Sequence, residues 1–471
     1  MGGPQVTVPG RTILQQTFND TVRENIEDLG MDPTEALQDA IETLTLQGVD
    51  LSGIVTCVPG ESNPVIECLN KLKQFEIDSS CDNSKIKSDF DLEEVIGVLN
   101  ELTELCGVEG SGNAAIATRY GGLESVCLIC SRVPRVPSGC GRGLVSCFNA
   151  LAYLLHDLQC TEIFRNSNGP EVVMRILNDG TDNVTMLSSG FSVIAAAATG
   201  NEVLKELFMD LKVDELMITV LKEQKNEPIS SLYDAIRVLL SADDNRVVAS
   251  QLYARRFAKI GIAEALVHSL RDRIRSPSLV SASIALKAVA VNDEICRSVA
   301  ESGGIDAILC CINDSGAQRN QIVAQTLCSL LNKLAGSDAN KTTIVAKGGM
   351  DKLITLSTRF SDDPFVLQEV MSIICTLSLR APDNATRAIE AGAGDLAIRV
   401  MNKFPEVPQL QKHACLMIRN HVVRNPENRQ VTSYVISHFF VLVQVLALVL
   451  VLYSTFSSPQ RTLYLSIWFG C

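Results

Sequence analysis

The chain has 471 residues, of which 46% are apolar and 20% charged, a composition that supports a folded protein with a large core. Lys and Arg total 41 against 54 Asp and Glu, a formal balance of −13. That balance offers no continuous attraction toward phosphate and argues against nucleic acid as a partner.

The N-terminus, "MGGPQVTVPGRTILQQ", lacks the basic region and apolar run of a secretory signal. Val6 stands where a myristoylation motif requires Ser or Thr, and Cys471 is the last residue, not the start of a prenylation box. Residues 1–11 are expected to be disordered. Sixteen cysteines, scattered through apolar runs such as "AILCCI" and "SIICTLSL", suit small core side chains in a reducing compartment. Cytosol or nucleus is the expected location.

Residues 12–106 read as an N-terminal helical region with linkers. Within it, residues 15–55 predict two helices, one with a stripe of Phe18, Val22, Ile26 and Leu29 and one with Leu37, Ile41 and Leu44. Between them "DPTE" is a helix start, with Asp32 as cap, Pro33 in the first position and Glu35 placed for a capping box. Gly48 ends the second helix.

From residue 107 to 430 a phrase recurs: "VAESGGIDAILCCI" (299–312), "IVAKGGMDKLITLS" (344–357) and "AIEAGAGDLAIRVM" (388–401). Fainter copies are "IATRYGGLESVCLI", "IFRNSNGPEVVMRIL", "LFMDLKVDELMITVL" and "FAKIGIAEALVHSL". The acidic marker falls at Glu124, Glu171, Asp214, Glu264, Asp306, Asp351 and Asp395, spaced 47, 43, 50, 42, 45 and 44 residues apart. About seven copies at this pitch imply a solenoid whose units bury their apolar faces only by stacking. Gly303-Gly304 and Gly348-Gly349 are expected to take the positive φ of a sharp helix-to-helix corner. The acid beyond sits in the next helix's first turn, where exposed N–H groups favour negative charge. Asn340, Asn384 and Asn428 mark, at intervals of 44, a loop after each long apolar helix. The unit is thus short helix, corner, helix, loop, long helix, with almost no strand signal.

This phrase, with its glycine corner and three helices, resembles the armadillo repeat; HEAT repeats, similar in length but with two helices, are the alternative. Together with residues 15–55, "LRAPDNATRAIEAGAG" and "QKHACLMIRN", it extends the resemblance to the armadillo repeat family over about residues 12–430. The resemblance implies an all-α, right-handed α-solenoid that binds proteins, with no catalytic residues to carry over. In the family's best-known peptide binders, third-helix asparagines hold an extended peptide. Here the corresponding positions are Asn149 or Tyr153, Val193 or Ile194, Arg237 or Val238, Asn332 or Lys333, Thr376 or Leu377, and Asn420 or His421. The ladder is broken, which disfavours a basic import-type peptide and leaves a partner's helix or folded domain on the concave face.

"CLIC" at Cys127 and Cys130, with Cys140 and Cys147, has the look of a zinc site. In the repeat register, however, Cys127 matches Met174 and Leu309, and Cys130 matches Leu177 and Ile312, which are core positions. "SGCGRGLVSC" (138–147) lacks the strand and lysine of a phosphate loop and reads as a flexible corner. His156, His268, His413, His421 and His438 form no metal or triad pattern along the chain. No enzyme activity, cofactor or metal site is expected.

The 50-residue spacing accompanies a basic island, Arg255, Arg256 and Lys259 followed by Arg271, Arg273 and Arg275. Insertions in repeat proteins fall on loops and mark binding edges, so these six residues are the candidate contacts for an acidic protein partner. After Asn428 the register stops. Residues 431–471 form an atypical apolar tail in which 435–456 would span about 33 Å as a helix, enough for a bilayer core of about 30 Å. Two readings follow: a soluble scaffold with an unusual terminus, or a tail-anchored adaptor presenting its solenoid to the cytoplasm.

Overall fold

The computed structural model describes residues 11–51, 54–60, 62–78, 89–108, 110–133, 140–223, 229–242, 247–271 and 278–422. These contain seven consecutive three-helix units, from Asn113–Arg119, Gly122–Arg132 and Cys140–Leu154 to Pro382–Glu390, Ala393–Lys403 and Pro408–Val422. Three helices per unit make the repeats armadillo-type rather than HEAT-type. The seven acidic markers all lie in the first turn of a second helix.

The corner between first and second helix turns through the left-handed region in every unit, at Gly121, Asn168, Lys212, Gly261, Gly303, Gly348 and Gly392. The glycine pairs divide the work differently from expectation. Gly348 takes φ 74°, whereas Gly349 has ordinary helical geometry and is glycine for want of space. A β-carbon there would lie 2.6 Å from the Ile344 carbonyl oxygen, and one at Gly304 would lie 2.7 Å from that of Val299. Expectation also fails for the asparagine markers. Asn340 and Asn384 are buried in the first turn of a first helix, not in loops, and donate to the Leu334 (3.1 Å) and Leu377 (3.0 Å) carbonyls that end the preceding third helix. Asn428 lies outside the described residues.

At the N-terminal end, Gln15–Glu27 and Pro33–Leu46 form the two expected helices, and Arg11–Thr12 pairs with Val49–Asp50 as a two-residue parallel bridge. Asp32 caps by accepting from Thr34 N at 3.0 Å. The packed stripe is shifted from the anticipated one. Ala36, Ala40 and Leu44 close against Phe18 and Val22, Leu37 and Ile41 are partly buried, and Leu29 is exposed. Small alanines let the two helices approach closely, which hydropathy alone undervalues. Pro64–Asp78 and Asp89–Cys106 then pack against the second and third helices of the first complete repeat, as one repeat packs on the next.

Two compact units divide the chain, Met1–Glu223 with Ile229–Ser250, and Gln251–Cys471 with Gln224–Pro228. In the first, third helices Cys140–Leu154, Val184–Ala198 and Ser230–Leu240 pack side by side. In the second, Leu279–Val289, Gln321–Leu334, Pro364–Ser378 and Pro408–Val422 do the same. Among the described residues no helix is long and apolar enough to cross a membrane. The apolar segment 435–456 lies outside them.

Candidate interaction surface

Neighbouring repeats are joined along the third helices by polar contacts. Ser146 donates to Asn100 Oδ1 at 2.8 Å, and Ser231 donates to the Ser188 carbonyl at 2.7 Å. In the second unit Lys287 Nζ donates to Ser329 Oγ at 2.7 Å, and Asn332 Nδ2 donates to Ser372 Oγ at 3.0 Å. Asn420 Nδ2 donates to the Cys375 carbonyl at 3.0 Å. Burial raises the Glu369 carboxyl, with Lys287 and Ser329 acting in the opposite sense. The asparagine ladder is therefore absent in physical terms as well. Val193, Ile194, Val238, Leu377 and His421 are core residues, while Asn332 and Asn420 each commit an amide hydrogen to the adjoining repeat.

The third helices of the second unit carry four cations, Lys287, Lys333, Lys412 and Arg419, against one acid, Glu369. This is the reverse of the chain's overall balance of −13. At one end of this row, Ser378, Leu379, Arg380, Ala381, Pro382, Arg419 and Asn420 line an open cavity of about 260 Å³. The Ser378 hydroxyl is buried there without a hydrogen-bond partner. Two arginines lining one open cavity are a receptive environment for a carboxylate.

The basic island is distributed otherwise. In the region of the long spacing the first helix, Val247–Lys259, has 13 residues where those of the second, third, fifth, sixth and seventh repeats have nine, and the third helix before it, Ser230–Leu240, has only 11. The surplus in the spacing falls largely on the connections before and after Ser230–Leu240, which include residues 224–228 and 243–246, outside the described residues. Arg255 and Lys259 are exposed on the first helix, beside an exposed Leu252, and Arg256 is half-buried. Arg271 ends the next helix and donates to the Ser302 carbonyl at 2.8 Å, bracing the following corner. Lys73 braces the first complete repeat in the same way through the Tyr120 carbonyl at 2.7 Å. Arg273 and Arg275 lie outside the described residues. None of the described island residues is on a third helix.

Cys127, Cys130 and Cys147 are buried, and the thiol of Cys130 is raised by its hydrogen bond to Cys147 and by burial. The Cys140 side chain lies outside the described residues. Residues 140–147 belong to a helix, so "SGCGRGLVSC" is not a corner throughout. Gly143 sits where a β-carbon would come within 3.1 Å of Leu92. One cluster escaped the sequence reading: His156, Asp157 and Cys160 bring ligand-type atoms within 4.8 Å of one another. Burial raises the Cys160 thiol. Its signal was the repeat register, not a metal-binding motif.

Residues 10–85 match the armadillo repeat-containing protein 6 N-terminal domain. The chain is 27% identical to armadillo repeat-containing protein 6 of Homo sapiens over 403 residues, covering 81% of this chain and 76% of that protein. It is 23% identical to the Drosophila melanogaster homolog over 391 residues, covering 81% and 80%. Among solved structures, one described by a phosphorylation switch controlling the interaction between cadherin and beta-catenin superposes with a TM-score of 0.57 at 16% identity, covering 78% of this chain and 67% of that one. An engineered protein superposes with a TM-score of 0.51 at 16% identity, covering 79% and 92%. The structural likenesses show the fold alone.

Proposed function

We propose that this armadillo-type chain, similar to armadillo repeat-containing protein 6 over most of its length, is a non-enzymatic scaffold or adaptor of the cytosol or nucleus. Its partners are proteins, engaged through the face that the third helices form. The observation that carries the reading is the basic row of the second unit, ending in the cavity between Arg380 and Arg419. An acidic segment laid along Lys287, Lys333 and Arg419 would meet cations on the third helices of the fourth, fifth and seventh repeats, passing Glu369 on the sixth, with a carboxylate directed at the Arg380 and Arg419 cavity. Arg255, Arg256, Lys259, Arg271, Arg273 and Arg275 are a second candidate contact for an acidic partner, although Arg271 already serves the corner at Ser302.

The test is quantitative affinity purification of the full chain and of a Lys287→Glu/Lys333→Glu/Arg419→Glu variant. The variant should lose its specific co-purifying proteins, and wild-type association should weaken steadily with salt, as screened charge pairs do. Circular dichroism and a melting curve serve as the fold control. An unchanged set of partners at equal fold content overturns the assignment of this face.

A further inference from the structure

His156, Asp157 and Cys160 stand where the third helix of the first complete repeat gives way to the first helix of the second. One helix ends at Leu154, and Asp157 caps the next, its Oδ1 accepting from Cys160 N at 2.7 Å. The His156 ring is held through Nδ1, which lies 2.9 Å from the Leu154 carbonyl oxygen. A carbonyl only accepts, so Nδ1 carries the proton and Nε2 keeps its lone pair. That lone-pair nitrogen is 3.8 Å from Cys160 Sγ and 3.5 Å from Asp157 Oδ2. Backbone groups thus fix two of the three side chains before any ion arrives, as outer partners do in metal sites.

The repeats supply their own control. First helices with described caps follow Gly112, Asp157, Asn201, Asn292, Ser337 and Ala381. The residue before each cap is Ser111, His156, Gly200, Val291, Gly336 or Arg380; three after it stand Ala115, Cys160, Leu204, Ile295, Asn340 and Asn384. Elsewhere the latter position is a half-buried alanine, a buried leucine or isoleucine, or an asparagine bonded to backbone. Packing therefore asks for nothing like a histidine, an acid and a thiol together, and among these six described junctions only this one has them.

The geometry points to a three-ligand site for a borderline-soft divalent cation of the zinc class, bound by His156 Nε2, Asp157 Oδ2 and Cys160 Sγ with the fourth position left to water. Usual zinc bond lengths in a tetrahedron put S and N about 3.6 Å apart and N and O about 3.4 Å apart. The two separations from Nε2 lie within a few tenths of an ångström of these values, but Sγ stands closer to Nδ1, at 3.5 Å, so binding requires the Cys160 side chain or the His156 ring to turn and bring Sγ toward the Nε2 lone pair. Magnesium and calcium are disfavoured because both prefer all-oxygen shells. On binding, the thiol releases its proton to solvent as the metal–sulfur bond forms, and no electron is transferred. The ion would clasp the repeat junction on the side where Thr118 Oγ1, from the preceding repeat, lies 3.4 Å from Cys160 Sγ.

Titration of the full chain with Co²⁺ tests this, read by thiolate-to-cobalt charge-transfer absorption and then by displacement with Zn²⁺. One equivalent should bind. Cys160→Leu, which installs the residue found at position 204, should keep the helical fold and abolish the band. Asp157→Asn, still able to cap the helix, and His156→Ala should each weaken binding by roughly tenfold or more. Cys310→Ser, which removes an exposed thiol elsewhere, should leave the band intact. No band in the wild type, or a band that survives Cys160→Leu, overturns the site. If Cys160→Leu does not fold, unchanged affinity in Asp157→Asn and His156→Ala overturns it instead.

Discussion

Lys205 in the first unit and Lys341 in the second hold equivalent places, in the first turn of a first helix, and both are buried. Each reaches the acid at the start of its own helix and a carbonyl at the end of its own repeat's third helix. Lys205 Nζ donates to Glu202 at 2.9 Å and to the Ser241 carbonyl at 2.8 Å; Lys341 Nζ donates to Asp338 at 2.7 Å and to the Leu379 carbonyl at 3.3 Å. The difference lies in the acid. The Glu202 side chain is 11% exposed, whereas that of Asp338 is 91% exposed. One clasp is an enclosed ion pair and the other a lysine anchored to a solvated partner, so the same residue at the same register carries different energetic weight.

Removing each lysine breaks that comparison most forcefully. Lys205→Ala should destabilise the first unit by about 3–5 kcal/mol, because Glu202 is left charged and enclosed. Lys341→Ala should cost only about 1 kcal/mol, since water receives Asp338 and mainly one carbonyl bond is lost. Denaturant unfolding with hydrogen exchange over residues 202–240 and 338–378 reads both. Equal losses would show that the enclosure of Glu202 has no energetic meaning. Lys205→Met with Glu202→Gln should recover most of the loss, as neutral replacements of an enclosed pair do.

Acid distinguishes the two units from another side. The first has one histidine, half-exposed His156, whereas the second encloses His421, whose imidazole burial lowers to about 4. A histidine kept neutral in the folded state favours folding fully above its unfolded value near 6.5 and progressively less as pH falls toward 4. Integrated over that interval, the loss reaches about 3 kcal/mol. Exchange protection in Pro408–Val422 should therefore fall between pH 6.5 and 4 before that in Val184–Ala198. His421→Leu should flatten the slope in the second unit alone, and a slope unchanged by that substitution would assign the acid sensitivity to other groups.

Sequence carried the fold well because its markers are mechanical. Seven corners and seven acids recur where a helix must turn and begin again, and hydropathy cannot hide them. What escaped was decided between helices far apart in the chain. A lysine such as Lys205 looks solvated on its own helix and is buried only by a neighbour some 36 residues away. Asn340 looks like a loop residue until the carbonyls of Cys296 and Leu334 are seen to need donors. The candidate site was less legible for the same reason. The 255–275 island drew attention as a local charge cluster, whereas Lys287, Lys333 and Arg419 form a row only when third helices are laid side by side. His156 and Cys160, four residues apart, stood out only once the register said what belonged there.

The corners give the finest comparison, since all seven bend alike with different residues. Gly349→Ala should cost about 2 kcal/mol through the clash with Ile344, an overpacking effect. Gly348→Ala, at φ 74° with open space around it, should cost about 1 kcal/mol from conformation alone. The first unit provides the inverse experiment at Lys212, which holds φ 63° despite its β-carbon. Its ammonium makes only an exposed ion pair with Glu215, worth little in water. Lys212→Gly relieves left-handed strain of about 1–2 kcal/mol but makes the unfolded chain freer by somewhat less. A net gain of about 0.5 kcal/mol should appear as a small rise in the melting temperature, confined to the first unit by exchange. A loss instead would mean that the Lys212 side chain contributes packing at the corner that its exposure conceals.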